Sequence, residues 1–256
     1  MKKQWLRIGI AVGILVLAAG LVSGGGKAVQ LIQNRLEADV LLLDPGHGGI
    51  DGGAQSSRGV LEKSINLQIA QEVKRLAEDA GWKVVMTRET DAVPGGERTA
   101  TIRSWKTQDM KARRELIRRT QPYLAISIHL NSFRENPEVE GVQVFYPGEG
   151  GSPEVLEQSK KLSKIMQEKI MVQVQSRKRR VPMEKNDVFL FKEVTCPMVL
   201  VECGFLSNPQ EAQQLQNGEY QQKLARGIME GIGGFSGKKP LKKVPFIDSR
   251  GENKEY

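Results

Sequence analysis

The stretch Val40-Leu-Leu-Leu-Asp-Pro-Gly-His47-Gly-Gly-Ile-Asp-Gly-Gly53 decides how the rest of the chain is read. Residues 40–43 are a short apolar run that ends in Asp-Pro-Gly, the pattern of a buried strand running into a loop. Downstream, Ile65, Ile69, Val73, Leu76, Ala77 and Ala80 recur at helical spacing and Gly81 supplies a stop. Residues 83–87 read as a second strand, and residues 88–107, rich in turn formers, as a long surface loop. Asp109 is expected to cap a helix running to about residue 119.

The alternation continues to the C-terminal side. Residues 124–128 form a third strand, apolar enough to lie centrally, and residues 141–146 alternate Val142, Val144 and Tyr146 as a half-exposed strand. Ser152-Pro153-Glu154 places a cap, a first-turn proline and an acid at the start of a helix to about residue 174. A basic loop at 177–180 and a strand at 197–201 follow. Asn208-Pro209 opens another helix, and a last one spans about 220–232. Strands interleaved with helices predict an α/β fold: one domain whose twisted, mostly parallel sheet of about six strands is covered by helices on both faces. There is no internal repeat.

The ends of the chain differ from its middle. Lys2, Lys3 and Arg7 precede an apolar run over residues 8–22, followed by Ser23-Gly-Gly-Gly26. This is the pattern of an export leader, so residues 1–26 are expected as a signal peptide or an N-terminal membrane anchor. After Gly237 the chain is rich in Lys, Pro and Glu, and residues 237–256 are expected to be a disordered polar tail. The 256 residues carry a net charge of +8, which favours anionic partners. Two cysteines, Cys196 and Cys203, are too few for a disulfide scaffold and read as small buried residues.

Histidine is the decisive residue type, because there are only two. His47 follows the first strand and His129 ends the third, in Ala125-Ile-Ser-Ile-His129-Leu-Asn-Ser. In a parallel sheet, ligands gather at the carboxyl ends of strands, so both imidazoles belong to one rim. One histidine at a strand end is ordinarily structural; two at equivalent ends point to a metal pair. Zinc held by two histidines takes a third protein ligand, and a carboxylate suits it. Glu62, at the start of the first helix, is the candidate. A hydrolytic site also needs a carboxylate to take a proton from water. Glu202 stands at the end of the apolar Val199-Leu-Val-Glu202, where a carboxylate is costly unless paired or used; a structural salt bridge is the alternative. There is no H-E-x-x-H, no G-x-S-x-G and no phosphate-binding glycine–lysine loop.

Four blocks, LLLDPGHGGIDGGA, LEKSINLQIA, AISIHLNS and VECGFLSN, with VMTRETD and GVQVFY between them, resemble the zinc N-acetylmuramoyl-L-alanine amidases of the amidase-3 type. The resemblance spans residues 39–235 and implies a zinc amidase catalytic domain with one Zn2+ ion. By position it implies that His47, Glu62 and His129 are metal ligands and Glu202 the catalytic carboxylate. Arg88, Arg113 and Asn131 fall on further shared positions, as groups that shape the site or hold substrate; surface salt bridges and loop caps are their ordinary roles. The expected reaction is hydrolysis of the amide joining muramic acid to L-alanine in peptidoglycan.

The leader, the single catalytic domain and the absence of a wall-binding repeat resemble the sporulation branch of the family. That branch implies spore-cortex maturation with muramic δ-lactam formation. It also implies action outside the cytoplasmic membrane, in the wall or the cortex space. The expected partners are peptidoglycan, an extracytoplasmic activator protein and the membrane through residues 8–22; nucleic acid is not expected. Two rivals stand beside this reading: a zinc peptidase cutting within the stem peptide, and a non-catalytic wall-binding scaffold.

Overall fold

In the computed structural model the described residues are 40–92, 101–176, 178–237, 246–247 and 253–254. They fall in one compact unit, Val40–Tyr256. The expected leader, Arg177 of the basic loop and most of the expected tail lie outside them.

The chain runs β1 (Val40–Pro45), α1 (Glu62–Asp79), β2 (Lys83–Met86), α2 (Ile102–Thr120), β3 (Leu124–Asn131), β4 (Gln143–Tyr146), α3 (Pro153–Gln173) and β5 (Met183–Glu184). A 3-10 turn (Phe189–Glu193), β6 (Met198–Phe205), α4 (Pro209–Leu215) and α5 (Gly218–Ser236) complete the domain. In the tail, Phe246–Ile247 pairs antiparallel with Asn253–Lys254.

Six strands form one sheet in the order β2-β1-β3-β6-β4-β5. The pairs β1–β2, β1–β3 and β3–β6 are parallel. β4 runs antiparallel to β6, and β5 is parallel to β4. The expected mostly parallel sheet is therefore observed, with its reversal confined to one edge.

Alternation along the central strands divides the core in two, because successive side chains of a strand face opposite sides. Leu41, Leu43, Ile126, Ile128, Val199 and Val201 meet Ile69 and Val73 of α1, Leu162 and Met166 of α3, and Leu224 and Ile228 of α5. Leu42, Ala125, Met198 and Leu200 face the other way, toward Ile117 of α2 and Leu190 and Phe191 of the 3-10 turn. Both faces are covered, which is why strands with continuous apolar runs are stable here. Cys196 and Cys203 are both free and buried. Among the described residues no helix is long and apolar enough to cross a membrane.

Several boundaries differ from the sequence reading. The loop expected at 88–107 ends earlier: α2 begins at Ile102, capped by Thr101, whose side chain accepts from Ser104 N. Asp109 is no cap but a buried residue inside that helix. The buried stripe of α2 is Trp105, Asp109, Arg113 and Ile117, spaced by four. Two of its four members are charged, so apolar periodicity is masked. β3 and β6 also run on past their apolar stretches, which places His129 and Glu202 inside strands instead of at their ends. The last helix likewise opens two residues before Tyr220 and continues to Ser236.

Candidate active site

The strand parity that splits the core also aims the site. Asp44, Ser127, His129 and Glu202 share the parity of Leu42, Ala125 and Leu200, so they face the α2 side of the sheet. His129 and Glu202 are register partners on the parallel pair β3–β6, and the register shifts between His129 and Asn131. His47 lies just beyond β1 with φ 61°, a left-handed conformation uncommon for a non-glycine residue. Glu62 is the first residue of α1 and is 3% exposed.

These elements bring three side chains together. His47 Nε2 lies 3.2 Å from Glu62 Oε1, and His129 Nδ1 lies 3.0 Å from the same oxygen. The two imidazoles meet edge to face with ring centroids 4.9 Å apart. One donor atom from each of His47, Glu62 and His129 lies within 4.8 Å of the others. Two nitrogens and one carboxylate at this spacing suit a small divalent ion.

The surroundings orient each donor. Asp51 Oδ2 engages His47 Nδ1 at 3.0 Å, which turns Nε2 toward Glu62. Glu62 Oε2 accepts from Ala54 N at 2.8 Å, and Oε1 accepts from Leu130 N at 3.0 Å and Asn66 Nδ2 at 3.1 Å. Burial disfavours the charged form of Glu62. The hydrogen bonds and charges of His129 and His47 outweigh it and hold the carboxyl well below its usual range. His47 is shifted the other way: burial works against its charge, but Asp51 and Glu62 raise it to about 9.

Glu202 stands apart from the cluster chemically. Burial is the largest influence and pushes its carboxyl up to about 7, with the nearby Glu62 charge adding and His129 opposing. Its Oε2 is buried and has no hydrogen-bond partner among the described residues. A buried carboxylate oxygen left unpaired costs free energy unless something else occupies that face. The salt-bridge alternative for Glu202 is absent from the described ion pairs.

Arg88 and Arg113 hold the backbone around His47. Arg113 is 1% exposed, so the surface salt bridge weighed for it is corrected. Its Nη1 donates to Asp44 Oδ1 at 2.7 Å and to Pro45 O at 2.8 Å; its Nη2 donates to His47 O at 2.6 Å. Asp109 closes the set at 2.8 Å from Arg113 Nε. Arg88 donates to the carbonyls of Pro45, Gly46, Lys63 and Thr90. Both guanidinium groups therefore grip the backbone that carries His47. Asn131 Oδ1 accepts from Ser132 N, capping the turn after β3.

Four residues of this frame were not singled out from sequence: Asp44, Asp51, Lys63 and Asn66. Asp51 had a local signal, standing four residues after His47 on a glycine-rich loop. Asp44 reads as turn punctuation, yet it is 1% exposed and also accepts from Thr87 Oγ1 and Ser127 Oγ. Its partners lie 43, 83 and 69 residues away. Lys63 ties Gly49 O to Asp91, and Asn66 links Glu62 to Gly46 O.

Two predictions follow from this frame. A Cβ on Gly46 would collide with the His129 imidazole. The Gly46 backbone cannot yield, since its N–H is held by Ile128 O and its carbonyl by Asn66 and Arg88. Gly46→Ala should weaken divalent-metal affinity about ten- to hundredfold, the scale of lost ligand orientation. Competition against a chelator measures it, and unchanged affinity would refute the close-approach argument.

The second concerns acid stability. Burial raises the Asp44 carboxyl, but Arg113 with the Thr87 and Ser127 hydrogen bonds brings it from the ordinary 3.8 down to about 2. A depressed folded value means the stabilisation is complete above pH ~4 and fades as pH falls toward ~2, at about 2 kcal/mol in all. In chelator-treated protein, the stability gap between wild type and Asp44→Asn should narrow over that window. A gap independent of pH would show that the Asp44 charge is not the cause.

Comparison with known proteins agrees with this geometry. The family model for N-acetylmuramoyl-L-alanine amidase matches residues 41–233. The chain is 36% identical over 197 residues to the germination-specific N-acetylmuramoyl-L-alanine amidase of Bacillus subtilis, covering 77% of this chain and 79% of that one. Among solved structures it superposes on the CwlD amidase of Clostridioides difficile, determined in complex with the GerS lipoprotein. The TM-score is 0.72 and the identity 37%, covering 77% of this chain and 98% of that one. An N-acetylmuramoyl-L-alanine amidase from Clostridium difficile 630 gives a TM-score of 0.66 at 30% identity, covering 79% and 99%. A family match over most of the chain, on a fold that assembles a two-histidine, one-glutamate cluster, is decisive: the chain belongs to the N-acetylmuramoyl-L-alanine amidase family and is a peptidoglycan amidase.

Proposed function

We propose that this amidase is a zinc enzyme in which His47, Glu62 and His129 hold the ion and Glu202 is the general base and acid. The observation that carries this reading is the donor cluster beside a buried carboxylate with an unpaired oxygen. When bound, zinc supplies Lewis acidity toward the scissile carbonyl and toward water. Glu202 takes a proton from the attacking water as its oxygen bonds to the lactyl carbonyl carbon. The same proton passes to the amide nitrogen as the C–N bond breaks, leaving a carboxylic acid on the lactyl group and a free amine on L-alanine. A carboxyl raised to about 7 is well matched to accepting and returning a proton near neutral pH. Arg88 and Arg113 act as positioning residues for the His47 loop, and Asn131 shapes the turn beyond His129.

The place of action is the wall or spore cortex, reached by export on residues 1–26, with residues 39–235 as the catalytic domain and 237–256 as a tail. Support comes from the likeness to a germination-specific amidase and from the leader pattern. Loss of the gene should deplete muramic δ-lactam from the cortex; normal lactam content would remove the cortex assignment. A reporter fused after Gly26 that works only in the cytoplasm would remove export. Because CwlD was solved with a lipoprotein, an extracytoplasmic activator of that kind is proposed here too. Full turnover by the purified domain alone would remove the need for it. Mass spectrometry of digested peptidoglycan separates amidase from stem peptidase: free lactyl ends support the first, shortened stems the second.

A further inference from the structure

The catalytic rim is crowded with negative groups, and most nearby cations are already engaged. Glu62, Glu202 and Asp51 converge there. Lys106 pairs with Asp51 at 2.8 Å, Lys63 with Asp91 at 2.7 Å, and Arg88 and Arg113 are spent on buried carbonyls and carboxylates. Peptidoglycan stem peptides carry carboxylates, so an amidase that accepts them needs a cation left available beside this rim.

Lys185 has that character. It directly follows β5; one contact ties its segment to β4, one to Gly148 just beyond β4, and a third braces the segment internally. Lys185 N donates to Tyr146 O at 3.0 Å, Gly148 N to Asn186 Oδ1 at 3.0 Å, and Asn186 Nδ2 to Glu184 Oε1 at 3.2 Å. Its ammonium rests over the Phe145 ring, 4.9 Å from the centroid. Phe145 has the same strand parity as Gln143, the register partner of Glu202, so the lysine is held on the catalytic face of the sheet. Its charge is felt at Glu202. Its carboxylate neighbour, Asp187, is 3.9 Å away and 79% exposed, a pair that contributes little. The Lys185 side chain is itself 38% exposed. An aromatic platform and a fixed backbone reduce the entropy lost when such a lysine binds an anion.

We propose that Lys185 is a specificity-determining residue that binds a carboxylate of the stem peptide and so favours stems with free carboxylates over amidated ones. The proposal rests on the amidase reading of the site, which lactyl-end analysis of wild-type products tests separately. The experiment compares wild type, Lys185→Gln and Lys185→Arg on two synthetic muropeptides, one with free stem carboxylates and one with those groups amidated. Lys185→Gln should raise KM on the free-carboxylate substrate about fivefold or more, with kcat within about twofold. It should leave KM on the amidated substrate unchanged, and Lys185→Arg should restore most of the loss. An equal KM change on both substrates would overturn the proposal. So would a fall in kcat alone, or no change at all. If wild type releases no lactyl ends from either substrate, the amidase reading fails instead.

Discussion

Replacing Glu202 with glutamine is expected to leave metal content and melting temperature near wild type while amidase turnover falls a hundredfold or more. Glutamine is nearly isosteric, so β6 can pack as before beside Gln143 and His129, its register partners. What is lost is the ability to hold a proton between attack on the carbonyl and departure of the amine. General acid–base work of this kind contributes about 10²- to 10⁴-fold. Because the interaction exists only in the transition state, kcat and kcat/KM should fall together. Folding should not suffer: a carboxyl that burial pushes up to about 7 gains nothing from being charged in the folded state, and the neutral amide avoids that desolvation. Metal content, melting temperature and turnover must come from one preparation. Near-normal turnover would end the catalytic assignment, and lost metal with an intact fold would make Glu202 a ligand.

The ligand substitutions should behave in the opposite way. His47→Ala, Glu62→Ala and His129→Ala are each expected to lose zinc, to lose activity with it, and to lose the stabilisation that bound metal confers by mass action. At a free-ion concentration a hundred times the dissociation constant, that stabilisation is about 2.7 kcal/mol. Glu62→Ala should be the most severe. One oxygen of Glu62 faces both imidazoles and also accepts from Leu130 N and Asn66, while the other receives Ala54 N. Its removal strands several buried donors as well as opening the metal site. Elemental analysis and melting curves with and without added zinc test this. A variant that keeps full zinc occupancy would drop out of the ligand set. A wild type whose melting temperature ignores added zinc would argue against a structural contribution from the ion.

How much of this could be read from the chain varies from residue to residue. The segments around His47 and His129 announce themselves, because apolar runs ending in chemically distinct residues are a local pattern. The helix of residues 62–79 was legible for the same reason, five of its seven buried positions being apolar and regularly spaced. The helix around Asp109 was legible only over its second half: its first turns and the burial of Asp109 were missed, because its buried face carries an aspartate and an arginine, Arg113, that pairs with both Asp109 and Asp44. Local pattern cannot show that a charged residue is buried when its partner comes from a distant strand.

By itself the sequence determined the alternation of strands and helices, the parallel character of the sheet and the blocks that mark the family, and it named His47, Glu62, His129 and Glu202 as candidates for the site. These follow from local spacing and residue chemistry, which a linear chain displays directly. Only the tertiary structure decided that Arg88 and Arg113 hold the backbone around His47, that Asp44 is the buried counter-charge of Arg113, and that Asp51 orients His47. It also decided that Glu202 keeps a buried oxygen unpaired and that Lys185 rests on Phe145 across the same face. Those facts depend on which strands become neighbours and in what register, and pairings between residues tens of positions apart exist only once the sheet has closed over its two cores.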